Sequence, residues 1–287
     1  MTNWLRNPWS RPRVLALMTW LYILWSIVPV IIAIQFSFNA GRSRSAWQGF
    51  SLQWYTGDPD LSVLHNSALR GAMGQSLKLA VLTMLIATPI GVALALGLAR
   101  WRGPGAKASN FLMLFPLVTP EIVMGVALFL VFVYLFKFID LGTEAQLLGH
   151  ITFSISYVVI VVRGRLFAIG REFEEAAMDL GASPVQALRL VLLPMLGPAI
   201  FASLMIVFAI SIDDFVISAF LQGGAESTTV PVLLYSAARN APTPNLNAIA
   251  TLLLLFSMLA IGIAISLQRR GGRGGREAVE NFARLDI

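Results

Sequence analysis

No cysteine occurs among the 287 residues, which excludes disulfides and thiolate-bound metals. Histidine is nearly as scarce. The two present, His65 and His150, are too few for a metal site without carboxylates from distant parts of the chain, and we read each as interfacial or helix-terminal. No glycine is followed directly by lysine, so the Gly-Lys loop that cradles nucleotide phosphates is missing. The patterns HExxH, GxSxG and GxGxxG are missing too. The sequence therefore offers no catalytic residue, no metal ligands and no cofactor site of its own.

Charge is the other deficit. Asp, Glu, Lys and Arg make up 13% of the chain and hydrophobic residues 57%, whereas a soluble domain carries about 25% charged residues. None of the four lies between Arg13 and Arg42, between Lys78 and Arg100, or between Arg239 and Arg269. A bilayer core takes about 20 apolar residues as helix, and each gap supplies them. Ala108–Phe136, Ala145–Val162 and Leu190–Ala225 add three more, the first and last with internal acids. The fold class is all-α: a polytopic membrane protein with six transmembrane helices, at about 14–36, 76–98, 109–136, 147–162, 195–220 and 246–267. We expect one membrane domain over 1–287, without internal repeats or a soluble domain.

The few basic residues are unevenly placed. With a cytoplasmic N-terminus, fifteen fall on inside segments: Arg6, Arg11 and Arg13, then Arg100, Arg102 and Lys107, then Arg163–Arg189, and finally the tail. Arg42, Arg44, Arg70, Lys137 and Arg239 fall outside, with Lys78 at a span edge, which predicts that both termini are cytoplasmic. The net charge of +6 is thus a topology signal, not a mark of nucleic-acid binding. We read the tail stretch Arg269–Arg276 as a flexible basic stop suited to anionic lipid. The first apolar run, Val14 to about Phe38, exceeds the roughly 7–15-residue core of a cleavable signal, so we expect it to be retained. Trp4 and Trp9 suit interfacial anchoring.

Two spans carry irregularities. Span two has small residues at Gly91, Ala95 and Ala99, a face suited to close helix contact. Span three is interrupted by Pro116 and Pro120, and Thr119-Pro120-Glu121 reads as cap, first helical residue and acidic second residue of a new helix. A break at that depth is tolerated only against protein or a wet cavity. Span five carries Asp213 and Asp214, and a mid-span aspartate costs about 2.5–3.5 kcal/mol on insertion scales. A partner helix, water or a cationic ligand can offset that cost. Glu121 alternatively serves only as a helix-start carboxylate, and the aspartates bond hydroxyls such as those of Ser211 or Ser218. Neighbouring residues on a helix diverge by about 100°, so both aspartates do not face one cavity.

Between spans four and five lies a polar stretch of different character, 172–194. Glu172, Glu174 and Glu175 occupy an early helical turn, where acids offset the helix dipole. Phe173, Ala176, Ala177 and Leu180 form a short apolar stripe. Gly181 suits a left-handed helix end. Ser183-Pro184-Val185-Gln186 restarts a helix through a capping box, with Pro at its first position, and Leu193-Pro194 stops it. The pattern predicts a cytoplasmic helical hairpin.

Glu175-Ala176-Ala177, three residues, Gly181, nine residues, Val191, one residue and Leu193-Pro194 resembles the EAA signature of permease subunits in bacterial ABC importers. The one departure is Val191, where isoleucine is usual. The resemblance implies the type I ABC-importer permease fold in the bacterial inner membrane. It makes this segment the coupling helix, which docks into a cytoplasmic ATPase; Glu175, Ala176, Ala177, Gly181, Leu193 and Pro194 carry it. ATP and magnesium then belong to that ATPase, which accounts for the missing phosphate loop.

Further stretches extend the resemblance over nearly the whole chain: "FSFN", "PLVTPEIVMG", "EEAAMDLGAS", "SIDDFVISAFLQG", "TTVPVLLYSAAR" and "PNLNAIAT". They are similar to permeases of the spermidine/putrescine branch. That branch implies a second, different permease subunit, two ATPase copies and a periplasmic binding protein. It often has Asp where Glu121 stands here. The implied path for a cationic solute passes Glu121, Asp213 and Asp214. Other solutes of ABC permeases (iron, thiamine, an aminophosphonate, an opine) are the alternative, and a proton-coupled secondary transporter is a third reading, which leaves the hairpin without a use.

Overall fold

A computed structural model describes residues 13–43, 46–101, 103–240 and 243–283. Trp4, Trp9, Arg6, Arg11, Arg44, Arg102 and Arg284, used above for topology, lie outside these ranges. The described residues are helical, and the one antiparallel bridge among them joins Asn39 to Phe50. In chain order the helices are α1 (Arg13–Ser37), α2 (Ser67–Arg100), α3 (Ala106–Val118), α4 (Glu121–Leu130), α5 (Thr143–Ile169), α6 (Glu172–Asp179), α7 (Pro184–Asp213), α8 (Val216–Phe220), α9 (Val230–Asn240) and α10 (Pro244–Ala283). Among them α1, α2, α5, α7 and α10 are long and apolar enough to cross a membrane. Counted as one broken span, α3 with α4 and its π-turn extension to Leu135, a pair bent by 107°, gives a sixth.

The chain divides into two compact units. One holds the residues up to Asn66 together with Asn240–Thr251. Here α1 exposes its large apolar side chains, as a helix whose solvent is lipid does. The segment after it is organised by Asn39, which is fully buried. Its amide nitrogen donates to the carbonyls of Ser43 (3.1 Å) and Ala46 (3.2 Å), and its Oδ1 accepts from the Gln48 amide at 2.8 Å. Trp54, 1% exposed, donates its indole N–H to the Asn39 carbonyl at 2.6 Å. Asp58 closes the following turn by accepting from the amides of Leu61 (2.8 Å) and Asp60 (3.0 Å), which hold its carboxyl below the usual carboxylate range. The Asn245 side chain donates to the Leu61 carbonyl at 2.9 Å.

The other unit holds Ser67–Arg239 and the chain from Leu252 onward. Its core is built by α2, α5 and α7, with Ala87, Val92, Ala95, Val158, Val162, Leu196 and Val207 in one cluster. Small residues on α2 allow this. A Cβ added at Gly91 meets Val158 Cβ at 2.5 Å, so α5 seats directly against the α2 backbone. A smaller cluster joins Phe132, Ala145, Ile217 and Leu221, packing α4 and its extension, α5 and α8.

Four features depart from the sequence reading. Thr119 does not cap the helix after it: its hydroxyl donates back to the Phe115 carbonyl (2.8 Å), closing α3, while Pro120 stands just before Glu121 as the first helical residue of α4. The Thr119 hydroxyl is already taken by that carbonyl, and Pro120 is itself extended, with φ −54° and ψ 133°, so the helix starts one residue later than expected. The stop expected at Leu193-Pro194 is absent, since α7 runs from Pro184 to Asp213. A π turn over Ala187–Leu192 widens the backbone ahead of Pro194, relieving the clash of a proline ring with the carbonyl four residues back. Span five does not continue to Phe220. It breaks at Asp214, whose φ of −66° and ψ of 121° are extended. The stretch Arg269–Arg276, expected to be flexible, lies within α10, which the helix formers of Arg276–Glu280 carry to Ala283.

Gly91→Ala forces α2 and α5 apart, an overpacking cost of about 1–3 kcal/mol. We expect a lower thermal midpoint for the detergent-purified variant. Gly97→Ala, where an added Cβ meets nothing within 4 Å, leaves the midpoint unchanged or slightly raised.

Candidate functional site: an acid-lined helix break

The break between α7 and α8 leaves backbone and side-chain polar groups inside an apolar span, and each needs a partner. Asp214 supplies the first. It is 7% exposed, and its Oδ2 accepts from the Ser218 amide at 2.8 Å, closing the start of α8. His150 of α5 supplies the second, with Nε2 lying 3.2 Å from the same Asp214 oxygen and 3.0 Å from Ser218 Oγ. Its Nδ1 lies 2.7 Å from Ser211 Oγ on the last turn of α7. A carboxylate only accepts, so Nε2 carries the hydrogen directed at Asp214, and Nδ1 is left to bond the Ser211 hydroxyl. His150 is 2% exposed. It lies two turns inside α5 and so is not helix-terminal, contrary to the reading of the sequence, and the break offers it three polar partners. His65 is exposed and bonds the Ser62 hydroxyl at 2.9 Å.

Two glutamines continue the polar ladder. Gln146, one turn before His150, is fully buried and donates to the carbonyls of Ser218 and Ser227, both at 2.9 Å. Its Oε1 accepts from Gln75 of α2 at 2.9 Å, and Gln75 also donates to Thr143 Oγ1 at 2.9 Å. Close approach is again made possible by glycine, since a Cβ at Gly149 meets Ile217 and Leu221 at 2.7 Å.

The second break, at Thr119-Pro120, is brought to the first by the packing of α4 on α8. A Cβ at Gly125 meets Phe220 at 2.7 Å and Val216 at 3.3 Å. Glu121 lies four residues earlier, on the same face of α4. Its carboxyl lies close to the Asp214 carboxyl group, while Asp214 Oδ1 is buried with no hydrogen-bond partner among the described residues. Two carboxylates this close repel unless a proton or a cation stands between them. Asp213 is exposed and Asp214 buried, so the pair does diverge. Beside them Phe215 packs on Tyr235 of α9, ring centroids 4.6 Å apart, and the Arg239 guanidinium lies 4.6 Å from the Tyr235 centroid. Among the described residues no cluster of His, Asp and Glu is arranged to hold a metal.

Elsewhere, α6 and the start of α7 form the hairpin. Gly181 has φ +90°; its amide donates to the Met178 carbonyl (2.9 Å) and that of Ala182 to the Ala177 carbonyl (3.0 Å), a Schellman end. The capping box is present: the Ser183 amide donates to Gln186 Oε1 at 2.8 Å and the Gln186 amide to Ser183 Oγ at 3.3 Å. Glu174 pairs with Arg100 at the end of α2. Arg100, Arg171, Glu174, Glu175, Met178 and Pro184 line a depression of about 410 Å³. Glu175 and Ala176 are exposed, and the stripe has no full cover among the described residues, for Leu180 is 91% exposed. Leu193 and Pro194 lie two turns into α7, away from the turn. The hairpin and the acid break therefore stand at opposite ends of α7.

Residues 87–271 match the family described as binding-protein-dependent transport system inner membrane component. The chain belongs to that family of permeases. It is 36% identical to the putrescine transport system permease protein PotI of Escherichia coli (strain K12), over 87% of this chain and 86% of that one. It is also 36% identical to the spermidine/putrescine transport system permease protein PotC of the same strain, over 82% and 86%. A crystal structure of a bacterial ABC transporter that imports the acidic polysaccharide alginate contains a chain of like fold, with a TM-score of 0.72, 17% identity and coverage of 91% and 96%. A methionine ABC transporter aligns with a TM-score of 0.53 at 21% identity, covering 70% of this chain and 93% of that one. This permease is thus a multi-pass membrane subunit of a binding-protein-dependent importer, with the fold of ABC importer permeases.

His150, Gln146 and Gln75 were not among the candidate residues of the sequence. Their signal was present: polar side chains inside or flanking runs otherwise long enough to span, where each requires a partner. Gln146→Leu strips partners from the Ser218 and Ser227 carbonyls and the Gln75 amide, at about 1–3 kcal/mol for each group left buried. We expect the purified permease to lose about 5 °C or more of thermal midpoint, measured beside Gln146→Glu and wild type.

Proposed function

We propose that the permease imports polyamines, putrescine or spermidine, as the second-permease type of an ATP-driven complex. In this reading it forms one transmembrane domain over 1–287 in the bacterial inner membrane, with both termini cytoplasmic. Its partners are a different permease subunit, two copies of a cytoplasmic ABC ATPase, a periplasmic solute-binding protein and the surrounding lipid. ATP and magnesium are bound by the ATPase; this chain hydrolyses nothing, takes no cofactor and binds no nucleic acid. The observation that carries the solute class is the meeting of Glu121 with Asp214, and of Asp213 beside it, at two facing helix breaks. Among the described residues no lysine or arginine forms an ion pair with any of the three. An ammonium group in transit supplies the charge the site lacks. The relatives named for putrescine and spermidine support the same solute class.

The test is reconstitution with the partner subunits, comparing wild type with Asp213→Asn and Asp214→Asn. Asparagine keeps the size and hydrogen bonding and removes the charge attraction. A charge-assisted hydrogen bond contributes about 1.5–3 kcal/mol, so we expect polyamine uptake per assembled complex to fall about tenfold or more in at least one variant. Wild-type uptake in both means that neither charge meets the solute.

In the same reading the hairpin docks on the ATPase, through Glu175, Ala176, Ala177 and Gly181, with Leu193 and Pro194 setting the start of the span. The uncovered Phe173, Met178 and Leu180 support a partner there. Valine strains a backbone held at φ +90°, and lysine reverses a charge beside the depression. We expect Gly181→Val and Glu175→Lys to lower ATPase co-purification or to separate ATP turnover from uptake while the permease stays in the membrane. Wild-type assembly and uptake in both variants removes the assignment.

A further inference from the structure

We propose that His150 is a positioning residue for solute passage, one that holds the Asp214 carboxylate and the α7–α8 break in place; this rests on the polyamine reading of the same site. The ring reaches both sides of the break, bonding Ser211 before it, Asp214 at it and Ser218 after it. It fixes one oxygen of Asp214 and leaves the other, Oδ1, without a donor. The division of labour follows from that geometry. Oδ2 is committed to the ring and to the Ser218 amide, so it holds the fold, while Oδ1 is a buried acceptor without a partner among the described residues, and an ammonium group reaches it only when the surrounding helices open. Without the ring, Asp214 keeps only local bonds to α8 and is free to turn toward its neighbours. Ser211 in turn fixes the ring, because its hydroxyl bonds the nitrogen that Asp214 does not use. Nothing else in the described structure needs a histidine here: the ring meets no metal cluster, and its partners are those three groups.

The test uses the reconstituted complex with its ATPase, partner permease and binding protein. His150→Ala, His150→Gln and Asp214→Asn are compared with the doubles His150→Ala/Asp214→Asn and Ser211→Ala/Asp214→Asn. We expect His150→Ala to lower putrescine uptake per assembled complex about tenfold and His150→Gln, whose amide can still donate to Asp214, to recover most of it. In the Asp214→Asn background the alanine causes no further loss, because effects acting through one group are not additive. Hydrogen exchange across 214–221 in the assembled complex is the second readout, and it needs no solute. We expect faster exchange there in His150→Ala and near-wild-type exchange in His150→Gln. Wild-type uptake per complex in His150→Ala, or losses that add in the double variant, overturns the proposal. Should His150→Ala fail to assemble, Ser211→Ala frees the ring without removing it, and its uptake and exchange are judged by the same cycle. A wild-type complex that does not import putrescine defeats the polyamine reading by itself, and the exchange cycle still decides whether His150 holds the break.

Discussion

Inside a bilayer, backbone groups that leave a helix must find partners within the protein, and this permease leaves helical geometry twice at membrane depth. Water is not there to satisfy the exposed carbonyls and amides, and each unsatisfied group costs several kcal/mol. The chain meets the constraint with side chains. The Ser218 and Ser227 carbonyls go to Gln146, the Ser218 amide to Asp214, and the Val230 amide to Ser76 of α2 at 2.9 Å. Those polar residues are themselves buried and need one another, so the ladder from Gln75 through Gln146 to His150 is a consequence of the breaks. The acids follow from the same need: Asp214 serves first as a helix-start acceptor, and its second oxygen stays buried without a partner among the described residues.

Glycine sets where the breaks can meet. Lipid tails are as apolar as leucine, so burying apolar surface between helices gains little, and close packing has to hold them. At Gly125 and Gly149 the α4 and α5 backbones come so near α8 that a methyl group does not fit. That proximity carries Glu121 to the Asp214 carboxyl and sets His150, the neighbour of Gly149, against the break. By contrast α1, with no such close contact, keeps its large side chains outward.

Periodicity and charge were sufficient to read the crossings from the sequence, and local capping chemistry was sufficient for the hairpin. The Gly181 left-handed end and the Ser183–Gln186 box depend on residues within a few positions of one another, so composition alone dictates them. The break at Asp214 was not legible in that way. Ser211–Phe220 has no proline or glycine, and its helix ends because tertiary partners compensate: His150, sixty-four residues away, and a close α4. Pro194 misled for the converse reason. A proline after a leucine is a helix stop by propensity, but a π turn upstream accommodates it, and that turn is stabilised by the burial of Ala187 and Leu192. His150 was misjudged because its value lies in contacts that no local pattern encodes.

The two regions of interest share one element. The Ser183 capping box starts α7 and the acid pair ends it, and a helix of its 30 residues is about 45 Å long. From Leu193 to Asp213 the helix is α-helical, and Leu196, Ser203 and Val207 are buried along it. The π turn lies at the hairpin end, so whatever compliance α7 has is concentrated next to Gly181 and not next to Asp214. On the proposed reading this arrangement matters in one direction. A push on the hairpin that exceeds what the π turn absorbs must move the α-helical part as a body. At the far end it disturbs the contact between the Ser211 hydroxyl, which travels with α7, and the His150 ring, which belongs to α5 and does not. The bond between them is therefore where displacement of the hairpin is converted into a change at the Asp214 carboxylate.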